Sequence, residues 1–139
     1  MSAHSPAHVR PGRPAPHAGR PGIATLLRLV SWLLAASVFA QPLLAGLFLD
    51  GHTAWRDWHA ANGMLLLPLL GLTQLVLAVL ARRTGRSPGW LPLASLALFL
   101  AIVAQNLLGM SGQLALHLPL GVALVGLAGT LLVHARRVT

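Results

Sequence analysis

Four long apolar runs dominate the sequence: roughly Ile23 to Leu49, Ala60 to Ala81, Trp90 to Leu108 and Leu114 to Val133. Each is close to the roughly 20 residues that a helix needs to cross a bilayer. The runs are rich in Leu and Ala, which favours helix, and a helix satisfies its own backbone groups in hydrocarbon. The alternation of a barrel strand is absent. Only 9% of the 139 residues are charged and 55% are hydrophobic, with a mean hydropathy of +0.72, whereas a soluble domain carries about 25% charged residues. The expected fold is all-α, an integral membrane four-helix bundle over residues 23–139.

Residues 1–22 differ from the rest. They contain Pro6, Pro11, Pro14, Pro16 and Pro21 among histidines and arginines, too little apolar surface to offset the entropy of ordering. A disordered basic tail is expected there. His4, His8 and His17 have neither regular spacing nor a partner carboxylate, so they are not read as a metal site.

The formal net charge of +8 is informative through its placement. Arg10, Arg13, Arg20 and Arg28 lie before or at the start of the first run, Arg82, Arg83 and Arg86 lie between the second and third, and Arg136 and Arg137 follow the fourth. The other side holds only Arg56, with Asp50 and Asp57 beside it. By the positive-inside rule both termini are expected in the cytoplasm. The arginines are then matched by anionic lipid headgroups, and no nucleic-acid partner is needed to explain them. There is no cysteine, hence no disulfide and no thiolate ligand. Lys and Tyr are absent while Arg, Ala, Gly and Pro abound, a bias that points to a GC-rich bacterial genome and so to the cytoplasmic (inner) membrane. Val38 and Ala40 suit a signal peptidase, but the apolar run continues through Pro42 to Leu49, so the first span is expected to be retained.

The chain reads as two repeated helical hairpins. Gln41-Pro-Leu-Leu-Ala-Gly through His59-x-x-x-Gly63 overlies Gln105-Asn-Leu-Leu-Gly through His117-x-x-x-Gly121, the first half carrying extra residues in its outer loop, where insertions are tolerated. His59 and His117 lie near the outer ends of two parallel spans. Their imidazoles are placed to face one cavity, as two axial ligands of a haem iron must. Gly63 and Gly121, at i+4, share each histidine's face and leave room for a flat macrocycle or a close helix. Arg56 and the helix N-termini suit haem propionates. Gln41 and Gln105 are amides expected to face the bundle, as glue between helices or as hydrogen-bonding partners of a haem edge or quinone. Gln74, Asn62 and Asn106 read as glue, and Pro42, Pro68 and Pro119 as interruptions of their helices. Asp50 to Trp58 and Gly109 to Gly112 are expected as the outer connections. His52 falls in the first of these, and His134 at a helix C-terminus that favours a cation.

The run Gln105-Asn-Leu-Leu-Gly, a short turn and His117 in a Leu-rich helix resembles a hairpin of the haem A synthase family. The chain from Ile23 onward is similar to one four-helix half of that family, and to small four-helix membrane proteins of high-GC bacteria. The resemblance implies that His59 and His117 are axial ligands of a b-type haem. Where the family has a glutamate three residues before the first histidine, required for oxidising the haem methyl group, this chain has Arg56, and Asp57 stands at the wrong angle to replace it. The outer-loop cysteine pair of some members is missing too, so synthase activity is not expected.

Two functions remain open: a b-type cytochrome-like protein for electron transfer or haem handling, with a quinone or membrane redox partner, and a cofactor-free structural subunit of a membrane complex. No span carries an acidic residue, which disfavours a proton or cation transporter. The spans hold no set of Ser, His and carboxylate for hydrolysis, so no catalytic residue is assigned.

Overall fold

The computed structural model describes residues 22–138; of the expected tail all but Gly22, including His4, His8 and His17, lies outside these residues. The chain forms four helices, α1 (Ile23–Leu49), α2 (Ala54–Arg83), α3 (Trp90–Met110) and α4 (Leu114–Ala135). All four are long and apolar enough to cross a membrane, and among the described residues there is no strand.

Two boundaries differ from the sequence expectation. The stretch expected as an outer loop up to Trp58 is helical from Ala54 onward. Its turn of Trp55, Arg56, Asp57 and Trp58 is amphipathic rather than apolar, and Asp57 in the first turn suits the positive end of the helix dipole. Gly109, expected in the second outer turn, lies inside the last turn of α3, and the connection is Ser111 to Gln113. Each of the three connections turns on a glycine at positive φ: Gly51 at 97°, Gly85 at 73° and Gly112 at 71°, a conformation that side chains disfavour. Pro42 and Pro119 sit inside α1 and α4 without ending them.

The helices pack as a square. α1 and α3 each pack against both α2 and α4, whereas α1 and α3 make no close backbone approach to one another, and nor do α2 and α4. The arginine-flanked half is solid. Leu27, Leu34, Leu91, Leu98 and Leu131 are fully buried there. Ala78, Ala81, Ala128 and Ala135 are buried with them, small side chains that let helices approach and gain dispersion contacts in lipid. The outward faces are bare leucine and valine, with Leu65 71% and Val122 74% exposed. A soluble monomer rarely shows apolar surface on that scale; around this bundle it is the surface for lipid.

The two hairpins are repeats at the level of packing. On the first helix of each, the buried positions Leu27, Ser31, Leu34 and Val38 recur at one constant spacing as Leu91, Ser95, Leu98 and Ile102, and the same spacing pairs Gln41 with Gln105. The local bonding recurs too: Ser31 Oγ lies 2.7 Å from Leu27 O and Ser95 Oγ 2.9 Å from Leu91 O. On the second helix of each, His59 and Gly63 correspond to His117 and Gly121. Further down, buried Leu67, Gly71, Gln74 and Ala78 correspond to Leu124, Ala128, Leu131 and Ala135, one residue closer in the chain. α2 therefore holds one surplus residue between Gly63 and Leu67. It is taken up by a π-helical turn, Asn62–Leu66, in which Leu67 N–H reaches back to Asn62 O.

Candidate functional site

The unpacked half of the square, away from the arginine-rich ends, holds a half-open cavity of about 550 Å³, within the range of small-molecule and cofactor sites. It exists because the diagonal helices α2 and α4 do not close on each other. His59 and His117 line it from these two helices, and Gln41, Gln105, Gly63, Gly121 and Arg56 line it with them. The seven residues singled out from the sequence thus meet at one place. The remaining wall is mainly apolar, with Val38, Leu67, Ile102, Leu124 and Val125 among its residues.

Each histidine is held by the preceding helix of its own hairpin. His59 Nδ1 lies 3.2 Å from the backbone carbonyl oxygen of Gln41, and His117 Nδ1 lies 3.0 Å from that of Gln105. A ring whose proton is on Nδ1 donates this bond and leaves Nε2 with its lone pair, the orientation of a metal-ligating imidazole steadied from behind. Because the chain carbonyl does this work, the repeated glutamines matter for their position on the backbone as well as for their side chains.

Those side chains correct one expectation. The space over the two glycines is not left for a macrocycle, because the glutamine amides fill it. A Cβ on Gly63 would stand 2.7 Å from the Gln41 carboxamide, and one on Gly121 would stand 3.1 Å from that of Gln105. With its oxygen accepting from Gly63 N–H at 3.0 Å, the Gln41 amide nitrogen donates to His59 O at 3.3 Å and lies 2.9 Å from His59 Nδ1. Gln105 Oε1 is buried without a partner. His59 Nδ1 therefore has two candidate partners, and His117 Nδ1 one.

Other contacts escaped the sequence reading. The His117 ring lies on Gly109, where a Cβ would stand 3.0 Å from Cε1 and 3.2 Å from Nδ1. Phe48 meets the edge of the His59 ring at 5.6 Å between centroids. The available signal for Gly109 was that its repeat partner, Ala45, is also small. Asn62 pairs with Ser37, its Nδ2 donating to Ser37 O at 2.9 Å while Ser37 Oγ bonds Asn62 Oδ1. Gln74 Oε1 lies 2.9 Å from Ser31 Oγ, whose single proton serves either it or Leu27 O. Both serve as the interhelical glue expected of them. His52 lies in the exposed first connection, and His134, with Nδ1 2.9 Å from Thr130 O and its ring 4.7 Å from Trp90, is remote from the cavity.

Among the described residues no three His, Cys, Asp or Glu side chains converge as a bare metal centre requires. Two imidazoles lining one mainly apolar cavity suit instead a metal that arrives with its other ligands, as an iron porphyrin does. Comparison with protein-family models, with curated proteins and with solved structures gives no match.

Proposed function

We propose that this chain is a b-type cytochrome-like membrane protein that holds one haem b between His59 and His117, for electron transfer or for haem handling. The observation that carries the reading is the matched pair itself: two imidazoles from diagonal helices, each anchored through Nδ1 by the carbonyl of a repeat-related glutamine, lining one cavity. The fit is one of donor chemistry: two imidazole nitrogens line the cavity, and among the described residues no cluster of three His, Cys, Asp or Glu forms.

In this role His59 and His117 would hold the iron through Nε2, and the Gln41 and Gln105 carbonyls would fix the ring tautomer and raise ligand basicity. Arg56 at the cavity would supply a cation for the propionates. When bound, haem supplies a one-electron couple. With two protein nitrogens on the iron, oxygen chemistry would be disfavoured.

The distribution of arginines supports an orientation with the solid half of the bundle toward the cytoplasm and the cavity toward the outer face of a bacterial inner membrane. A membrane donor such as quinol and an outer acceptor are the partners this location favours. The test is the absorption spectrum of the purified protein, oxidised and reduced, after expression with ample haem. Sharp alpha and beta bands in the reduced form support the reading. No Soret absorbance would sink it, leaving a cofactor-free structural subunit.

A further inference from the structure

The π turn Asn62–Leu66 lies directly below His59, and only in the first repeat. A residue added to an α-helix turns everything beyond it by about 100°. The surplus residue between Gly63 and Leu67 would therefore swing His59 and Gly63 away from the cavity if Leu67, Gly71, Gln74 and Ala78 kept their packing. A π turn absorbs one residue without that rotation.

Two features hold it open. Pro68 has no N–H to give to Met64 O, and a proline ring in a regular helix clashes with the carbonyl four residues earlier. Leu67 N–H bonds Asn62 O rather than Gly63 O, which releases the Gly63 carbonyl from its α-helical partner. Asn106 on α3 takes it, Nδ2 donating to Gly63 O at 2.8 Å. The repeat partner of Asn106 is Pro42, which has no amide to offer, and α4 is α-helical throughout and needs none.

We infer that Asn106 and the surplus residue of the π turn are positioning elements that set His59 in register with His117 across the cavity. The functional weight of this inference rests on the haem reading, but its geometry does not. The chain has no cysteine of its own, so a His59→Cys, His117→Cys pair can be cross-linked by a short thiol-specific reagent in the full-length protein without haem. In parallel, the low-spin reduced spectrum is recorded on the haem-loaded protein with both histidines intact.

Four backgrounds are compared: Asn106→Leu, removal of Leu65 from the π turn together with Pro68→Val, these changes combined with Asn106→Leu, and removal of Val122 from α4. Leu65 and Val122 both point outward, so neither removal takes a side chain from the core. Removing Leu65 with Pro68→Val turns the π turn into regular helix with His59 still in phase, and cross-linking and spectrum are expected to persist. Removing Val122 rotates His117 out of phase, and both are expected to be lost. Asn106→Leu alone weakens both, and becomes silent in the background that lacks Leu65 and carries Pro68→Val, because position 68 then stands four residues after Gly63 with an N–H that takes its carbonyl. Loss of cross-linking in that background, or an equal effect of Asn106→Leu with and without it, would overturn the inference. Cross-linking that follows the expected pattern in a protein without a haem spectrum leaves the register intact and removes the haem reading.

Discussion

The ring of His117 rests on the bare backbone of Gly109, with Cε1 3.0 Å from where a Cβ would stand. That separation is tighter than ordinary van der Waals contact, so Gly109→Ala forces the ring to give by a few tenths of an ångström and Gly109→Val by more. The same edge of the ring is tied through Nδ1 to the Gln105 carbonyl, so the ring cannot back away from a Cβ without lengthening that bond. The expected result is graded: a shifted alpha band and midpoint potential for Ala, and loss of the low-spin spectrum for Val. Ala45→Gly, at the repeat-related position near His59, should leave both readouts unchanged.

The two histidines should differ in tautomer before any ligand binds. His117 Nδ1 faces one carbonyl, whereas His59 Nδ1 chooses between donating to the Gln41 carbonyl at 3.2 Å and accepting from the Gln41 amide at 2.9 Å. Nitrogen-15 NMR of labelled imidazoles should therefore find His117 with its proton on Nδ1 and His59 shared between both forms. Gln41→Leu removes the side-chain option. Losing one hydrogen bond of about 0.5–1.5 kcal/mol should move the His59 ratio roughly two- to tenfold toward Nδ1–H. An unchanged His59 spectrum in that variant rules the competition out.

Hydropathy located the helices because a span is a property of a window, and each run was bounded by polar or glycine-containing segments. It missed Ala54 to Trp58 because that turn is amphipathic, so its helicity shows only once Trp58 and His59 are placed on a common helix. The site was readable from the paired glutamines and paired His-x-x-x-Gly, since both members of each pair survive in two halves whose leucines are interchangeable. The π turn left no local mark. Nothing in Asn-Gly-Met-Leu-Leu demands it, and the surplus residue becomes countable only when Leu67 is known to pack where Leu124 does. The use of the glycines was misjudged for a related reason: a missing Cβ says that something comes close, and the sequence alone does not say whether that is a neighbouring amide or a ligand.

The orientation of the bundle is testable without any ligand. Arg28, Arg82, Arg83, Arg86, Arg136 and Arg137 lie at or beside one set of helix ends, and Arg56 at the other. Arg136 also stacks over Trp32, 4.5 Å from the ring centroid, a cation–π contact at interfacial depth. A reporter fused after Thr139 should be active only as a cytoplasmic fusion, and one inserted at Gly112 only as an outer one. The reverse pattern would put the cavity on the cytoplasmic side and change which partners can reach it.

The ligand roles make the sharpest contrast among the histidines. His59→Ala and His117→Ala each remove one of the two imidazoles that line the cavity, and among the described residues no His, Cys, Asp or Glu cluster is there to substitute for it. Either change should abolish the sharp reduced bands, leaving a high-spin spectrum or a protein that releases its haem on purification. His52→Ala and His134→Ala should leave the bands as they are, because those rings lie in the first connection and against Trp90. Restoring a ligand from solution separates coordination from folding: imidazole added to His117→Ala should return the low-spin bands if the cavity is intact, since removing the ring leaves space beside Gly109 for it. Low-spin bands that survive in both single variants would show that the iron is held elsewhere. Bands lost in both and restored by imidazole in neither would mean that the histidines support the bundle rather than the metal.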